Sequence, residues 1–555
     1  MTSILQNHGT VPGASITDLP ALSRDGRYLA SASGSSLQVR DLNDSSVRTL
    51  ASPPESAGFV TGLVSPDISA DGKWAASLML FSGTMRLALF DLTTGLSRIV
   101  PVTVDGKTML SFSSPPSVSG DGRYIAVNAG IQEIVVVDTM TGVARKVGHD
   151  QVGTLPAGMS RPVISDDGST LLYGAVGTGI VSDGIMLMSV NLATSAHTVV
   201  NGKADGGNVD VGPARGQMSA DGRYVVFDTL QGKIDSDTNG LRDVYLNDTK
   251  TGTLTRISTS AFDSGAPSIS ADGRYISFTN AGGDLYPGAG GSVMALYRKD
   301  MQTGEIIQIS APGTAWTELS PAQLSADGSR IAFLQRETVS GPQQKPFELW
   351  VSRIADAGGA QNEILVAASG NQHLQGGGGI DTVAYHGARA QYTVTRSAVT
   401  DSVAARDGAD TLAGIERLRF NDGSVALDVD GVAGQAYRLY QAAFDRAPDS
   451  AGLGYWIAQM DKGASLLNVA GHFAASAEFT GLYGNNPGNG QLVDKLYLNI
   501  LNRAGDTAGL AYWNDVLNKF PNALPQVLVA FSESAENVAT LVGVMENGVA
   551  YQPFL

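Results

Sequence analysis

Two stretches of this sequence set hard oxygen ligands at regular spacing. In DSDTNGLRD, Asp235, Asp237 and Asn239 stand at alternate positions, Gly240 follows, and Asp243 takes the ninth place. Calcium gathers about six to eight oxygens, and a loop with side-chain oxygens at positions one, three and five and glycine at six can wrap it. The Leu241 carbonyl would add a further ligand, and a solvated Asp-rich turn is the alternative. Farther on, GGGGID brings Gly376, Gly377, Gly379 and Asp381 together. Asp407, Asp410, Asp428 and Asp430 follow as possible cation ligands, each equally readable as a turn residue.

Other chemistries find little support. The six histidines are scattered, without an H-E-x-x-H pair, and no nucleophile elbow, phosphate-cradling loop or dinucleotide fingerprint is present. The absence of cysteine removes disulfides and thiolate sites together. A formal net charge of −16 repels polyanions and attracts divalent cations, so nucleic acid is not expected as a partner. No run of about 18 apolar residues predicts a membrane span, and the first residues lack a basic, then apolar, secretory signal. Any export signal is therefore expected elsewhere.

The elements that must position these loops are announced by repetition. The pattern apolar-Ser-x-Asp-Gly recurs seven times, at Gly26, Gly72, Gly122, Gly168, Gly222, Gly273 and Gly328, spaced 46 to 55 residues apart. Each Asp-Gly pair sits between apolar stretches and favours a tight hairpin. A second alternating run, such as LALFDLTTG or IVVVDTMTG, follows in the same unit. Two hairpins give four strands per unit, and seven such units close radially into a propeller. The seven aspartates are read as turn residues and not as sites. The consensus resembles the TolB-type propeller repeat, whose Ser-x-Asp-Gly-Arg-Tyr turn is matched closely in four units. That resemblance implies a fold and names no activity.

The fifth unit carries DSDTNGLRD, which resembles the first part of an EF-hand-like or thrombospondin-type calcium loop. It departs at position twelve, where Leu246 stands in place of a bidentate Glu, leaving Asp243 or Asp248 to substitute. GNQHLQGGGGIDTVAY looks like one degenerate nonapeptide of the repeats-in-toxin (RTX) family, whose members imply calcium bound in a parallel β-roll; one nonapeptide alone is not expected to build a roll. From Val432 the apolar period becomes helical. YRLYQAAFDRAPDSAGLGYWIAQMDKG and DKLYLNILNRAGDTAGLAYWNDVLNKF align at an offset of 57, pairing Tyr440 with Tyr497, Arg446 with Arg503, Asp449 with Asp506, and Trp456 with Trp513. Asp449 and Asp506 are expected as N-caps, with the Tyr-Trp pairs filling the core and the arginines tied to carbonyls. The duplicated pattern resembles a family of unknown function at the C-termini of type I-secreted, RTX-linked bacterial proteins.

The expected fold is mainly β: a seven-bladed propeller over 1–357, a degenerate RTX-like segment over 358–431 and a duplicated helical domain over 432–555, ending in an export signal or a frayed tail. These readings point to a secreted, calcium-binding, non-enzymatic protein at the cell surface. Its implied partners are the type I secretion machinery and either copies of itself or a surface polysaccharide or protein. The alternatives are an extracellular propeller hydrolase or lyase acting on a polysaccharide, and a periplasmic TolB-like scaffold.

Overall fold

The chain is described here by a computed structural model covering all residues except 1, 11–20, 44–45, 55–59, 82, 110, 130–132, 148–161, 177–184, 202–215, 231–236, 283–284, 286–293, 311–316, 338–344, 356–361 and 555. Two compact units divide it, Ser3–Ala355 and Asp356–Leu555.

In the first unit six of the seven sequence repeats each become one four-stranded antiparallel blade. Blade one runs Ala21–Leu22, Tyr28–Ser33, Ser36–Asp41 and Val47–Leu50. The seventh blade departs from this plan. It orders Arg330–Glu337 and Glu348–Ala355 and then takes its outer strand, Thr2–Thr10, from the start of the chain. The repeats alone did not foretell this strand, which closes the ring.

The Asp-Gly motif does its work inside and between blades. In all seven copies the motif serine hydroxyl donates to the motif aspartate at 2.5–2.7 Å. The motif glycines all have φ between 67° and 78°, a region open to glycine at no steric cost. A Cβ there would also strike the preceding blade: 2.8 Å from Tyr28 at Gly72, 2.7 Å from Tyr124 at Gly168 and 2.5 Å from Tyr224 at Gly273. The residue after Asp-Gly-x in one blade thus packs on the glycine of the next. Further in, backbone amides link blade to blade around the axis, Gly120 to Asp166, Asp166 to Ala220, Ala220 to Ala271 and Ala271 to Ala326, at 2.8–2.9 Å. The seven aspartates are structural turn residues.

The second unit begins as a winding of parallel strands. Ile364–Val366, Thr382–Ala384 and Arg417–Phe420 pair in parallel in one sheet, and His373–Gln375 pairs in parallel with Ala409–Ala413 in another. The chain alternates between the sheets. Its first step, from Ile364 to Thr382, is eighteen residues. The second is lengthened by the hairpin Tyr392–Val394 with Ala398–Asp401, inserted beside Ala409–Ala413. Leu365, Leu374 and Val383 recur every nine residues and point into the core, as do Leu412 and Leu418. A short roll therefore forms where a single nonapeptide was expected to be insufficient.

Eight helices follow among the described residues: α1 Val432–Phe444, α2 Ser450–Asp461, α3 Leu466–Ala474, α4 Ala477–Tyr483, α5 Asn489–Leu501, α6 Thr507–Lys519, α7 Leu524–Ser532 and α8 Ala535–Leu541. Asp449 and Asp506 cap α2 and α6, accepting from the Gly452 and Gly509 amides. The Tyr-Trp pairs differ from expectation. Trp456 and Trp513 pack against the core, but Tyr455 and Tyr512 turn outward, at 37% and 60% exposure. Arg446 and Arg503 do reach the carbonyls of Ala447 and Ala504, and each also pairs with a glutamate, Glu478 and Glu536, at a half-exposed surface. The tail is docked and not frayed. Val549–Tyr551 pairs with Gly423–Ala426, and Phe554 meets the Tyr455 ring edge-on at 4.9 Å.

Candidate metal centres

In the roll, three positions nine residues apart carry oxygen-bearing side chains, Glu363, Gln372 and Asp381, and two more, Asp410 and Glu416, occupy the matching places in the next coil. They form a ladder. Asp381 Oδ1 accepts the Glu363 amide at 2.8 Å, Glu416 Oε2 accepts the Asp381 amide at 2.8 Å, and Asp410 Oδ1 accepts the Gln372 amide at 2.9 Å. Each carboxylate so ties its coil to the one before.

Asp381 Oδ2 is buried without a hydrogen bond, and the Asp410 carboxyl is buried beside the Tyr385 hydroxyl. An uncompensated buried carboxylate is costly in its charged form. Burial, reinforced by the Glu416 and Glu363 carboxylates, pushes Asp381 up to about 7, and burial likewise pushes Asp410 up to about 7. Glycines make this close stacking possible. A Cβ on Gly376 would lie 2.6 Å from Asp381 Oδ2, and one on Gly414 would lie 3.0 Å from the Gly377 carbonyl. Gly377 and Gly379 hold φ of 89° and 115° in the turn leading to Asp381. Glu363, Gln372, Asp410 and Glu416 thus join Asp381 in a set that its own nonapeptide only partly announces.

The remaining acidic residues singled out in this segment are answered from within. Asp407 is buried against His386 Nδ1 at 2.8 Å and the Tyr392 hydroxyl at 2.5 Å. Asp428 pairs with Arg417, and Asp430 pairs with Arg396 at 2.6 Å.

In blade five, Asp235 lies outside the described residues, whereas Asp237 and Asp243 converge on a cation supplied by the chain itself, with Asn239 and Leu241 bonded within the same loop. Arg256, from the adjacent strand, sits 2.7 Å from Asp243 and 3.4 Å from Asp237. Asp243 also accepts from Ser258 at 2.6 Å and from Asn239 at 3.1 Å, and Asp237 accepts from the Tyr245 hydroxyl. The Leu241 amide donates to Asn239 Oδ1 at 2.9 Å. Calcium entering this loop must displace the guanidinium. Among the described residues no three His, Asp or Glu side chains already converge as metal ligands.

The propeller axis encloses a channel lined by Pro66, Pro116, Pro162 and Pro267, each three residues before a motif serine. Its charged groups are engaged. Arg24 of blade one meets Asp166 of blade four at 3.3 Å across the axis, and Asp67 accepts the Val118 amide at 2.8 Å. Among the described residues no helix is long and apolar enough to cross a membrane.

Residues 435–480 and 470–541 match a domain of unknown function, DUF4214. No curated protein matches the chain. Among solved structures, TolB from Acinetobacter baumannii is 18% identical, over 55% of this chain and 62% of that one, with a TM-score of 0.33. An oligogalacturonate lyase in complex with manganese is 15% identical, over 61% and 89%, at 0.41. The Myceliophteria thermophila Swd1 β-propeller domain is 15% identical, over 62% and 99%, at 0.38. The chain thus spans about three fifths of that TolB. The C-terminal helices carry tandem DUF4214 matches.

Proposed function

We propose that this chain is a secreted, non-enzymatic calcium-binding protein whose propeller presents a surface for binding or self-assembly and whose C-terminal unit becomes rigid around calcium outside the cell. The observation that carries the reading is Asp381: a fully buried carboxyl with one oxygen unpaired, stacked between Glu363 and Glu416. A divalent cation is the complement such a site lacks. The groups to hold it are Asp381, the adjoining glycine carbonyls at Gly377 and Gly379, and the carboxylates of the neighbouring coils. Bound there, calcium would supply positive charge and fix the coils against one another.

Cytosolic calcium is too scarce to fill weak, extracellular-type sites, so filling would coincide with arrival outside. Type I export fits that order of events. The binding reading is preferred to a lyase or hydrolase because the channel carboxylates Asp67 and Asp166 already hold an amide and a guanidinium. Calorimetric titration of the full chain with calcium tests the proposal. Wild type is expected to take up calcium, and Asp381→Asn to lose at least one equivalent while keeping its fold. Absence of any calcium uptake by wild type refutes the reading.

A further inference from the structure

In five blades the residue after Asp-Gly-x is aromatic, Tyr28, Trp74, Tyr124, Tyr224 or Tyr275, and it stands opposite an aspartate on the neighbouring strand. In the four tyrosine blades the preceding arginine stacks on the ring at 4.7–5.1 Å and pairs with that aspartate. Each of these rings packs on the motif glycine of the next blade, with the guanidinium stacked over it. Blade four has lost all three parts at once, with Ser169, Thr170 and Asn191 at the equivalent places. Blade seven also lacks the ring, but Arg330 takes its place, reaching the Gly26 carbonyl and Asn43 at 2.8 Å each.

Between blades four and five, therefore, the groove stays open. Thr170 meets the Gly222 position with its short side chain only, and beyond it lies a space of about 430 Å³. Small-ligand sites fall at roughly 300–1,000 Å³. The walls are polar: the hydroxyls of Thr170, Thr198 and Thr249, the amide of Asn191, and the cations Arg223 and Lys250. Arg223 gives Nε and Nη2 to Asp248 at 3.0 and 2.7 Å, leaving Nη1 to donate elsewhere. Asp221 also lines the groove, but its Oδ1 is held within its own turn by Ser219 and the Arg223 amide.

We infer that this groove binds an acidic sugar unit of an extracellular polysaccharide. Asn191 Oδ1 is taken by the Ala193 and Thr194 amides and the Thr249 hydroxyl donates to the Arg223 carbonyl, so the groove offers the Asn191 amide nitrogen as donor and the threonine oxygens as acceptors. These suit the ring hydroxyls of a sugar, and two cations on one wall suit its carboxylate. Walls without large apolar side chains disfavour a lipid or an aromatic ligand. Two cations in a strongly acidic chain are too few for a nucleic-acid track. The assignment rests on the reading of the propeller as the contact surface and adds the place and the ligand class.

The test is calorimetric binding of a glucuronic-acid oligomer to the full chain in calcium, with a glucose oligomer as the neutral control. Thr170→Tyr restores the ring that four other blades carry, so it is expected to keep or raise the melting temperature while weakening binding at least about tenfold. Lys250→Ala is expected to weaken it by roughly threefold to tenfold and to reduce its salt dependence. Wild type that ignores the acidic oligomer, equal affinity for the neutral one, or full affinity in Thr170→Tyr each overturns the inference. Melting of the same preparations with and without EGTA reports on calcium separately, so either idea can fail alone.

Discussion

Asp243 in blade five and Asp381 in the roll are both fully buried aspartates in glycine-containing acidic loops, yet their surroundings are opposite. Asp243 is met on both oxygens, by Arg256, Asn239 and Ser258. Asp381 has one oxygen on an amide and the other on nothing. The same contrast separates two pairs of aspartates. In the propeller, Arg223 and Arg274 hydrogen bonds hold Asp248 and Asp300 down at about 2, while in the roll burial lifts Asp381 and Asp410 to about 7. An acidic loop is thus no measure of cation demand. What matters is whether the fold has already placed a positive charge inside it.

The largest expected effect comes from erasing that difference. Arg256→Met leaves Asp237 and Asp243 buried without their guanidinium, which is expected to destabilise the propeller by about 3–5 kcal/mol in chemical denaturation. Recovery of that loss by millimolar calcium would make blade five behave like the roll. Failure to recover would mark its loop as purely structural.

Acidity should then separate the two units by sign. Burial, with Arg40 and Arg330 nearby, lowers His8 in the closing strand to about 4, so the native propeller excludes a proton that the unfolded chain accepts. Its stability is expected to fall as pH drops from about 6.5 towards 4, and further as Asp248 and Asp300 protonate. Asp381 and Asp410 are raised, so the native C-terminal unit holds protons that the unfolded chain releases. In EGTA its stability is expected to fall as pH rises from about 4 to about 7. Melting curves across this range, read separately for each unit, check both directions.

The smallest effect sharpens the comparison from the structural side. Asp272→Ala removes an acceptor for Ser270 and the Arg274 amide, which is expected to cost about 1 kcal/mol and to leave the calcium response untouched.

The propeller was legible because each repeat spells its own hairpin, with serine, aspartate and positive-φ glycine all local to the turn. The closing strand Thr2–Thr10 was not, since its partner in blade seven lies at the far end of the unit and no motif marks it. In the roll, GGGGID announced one turn. Its neighbours were hidden because Glu363 and Gln372 stand where an aspartate would signal the repeat, and the inserted hairpin stretches the second step. Arg256 was invisible for a related reason: it enters the acidic loop across the ladder, opposite Tyr245, and no spacing rule ties it to Asp237. The Tyr-Trp pairs show the limit of helical periodicity. It finds the inward tryptophans but leaves the outward Tyr455 and Tyr512 looking like core.

Scanning calorimetry of the full chain near neutral pH, in calcium and in EGTA, bears most directly on the difference between the two units. With calcium about a hundredfold above its dissociation constant, the C-terminal transition is expected to lie about 5–10 °C higher than in EGTA, while the propeller transition stays in place. Two transitions that both ignore the chelator, or that shift together, would contradict a calcium-dependent roll beside a propeller that carries its own cations.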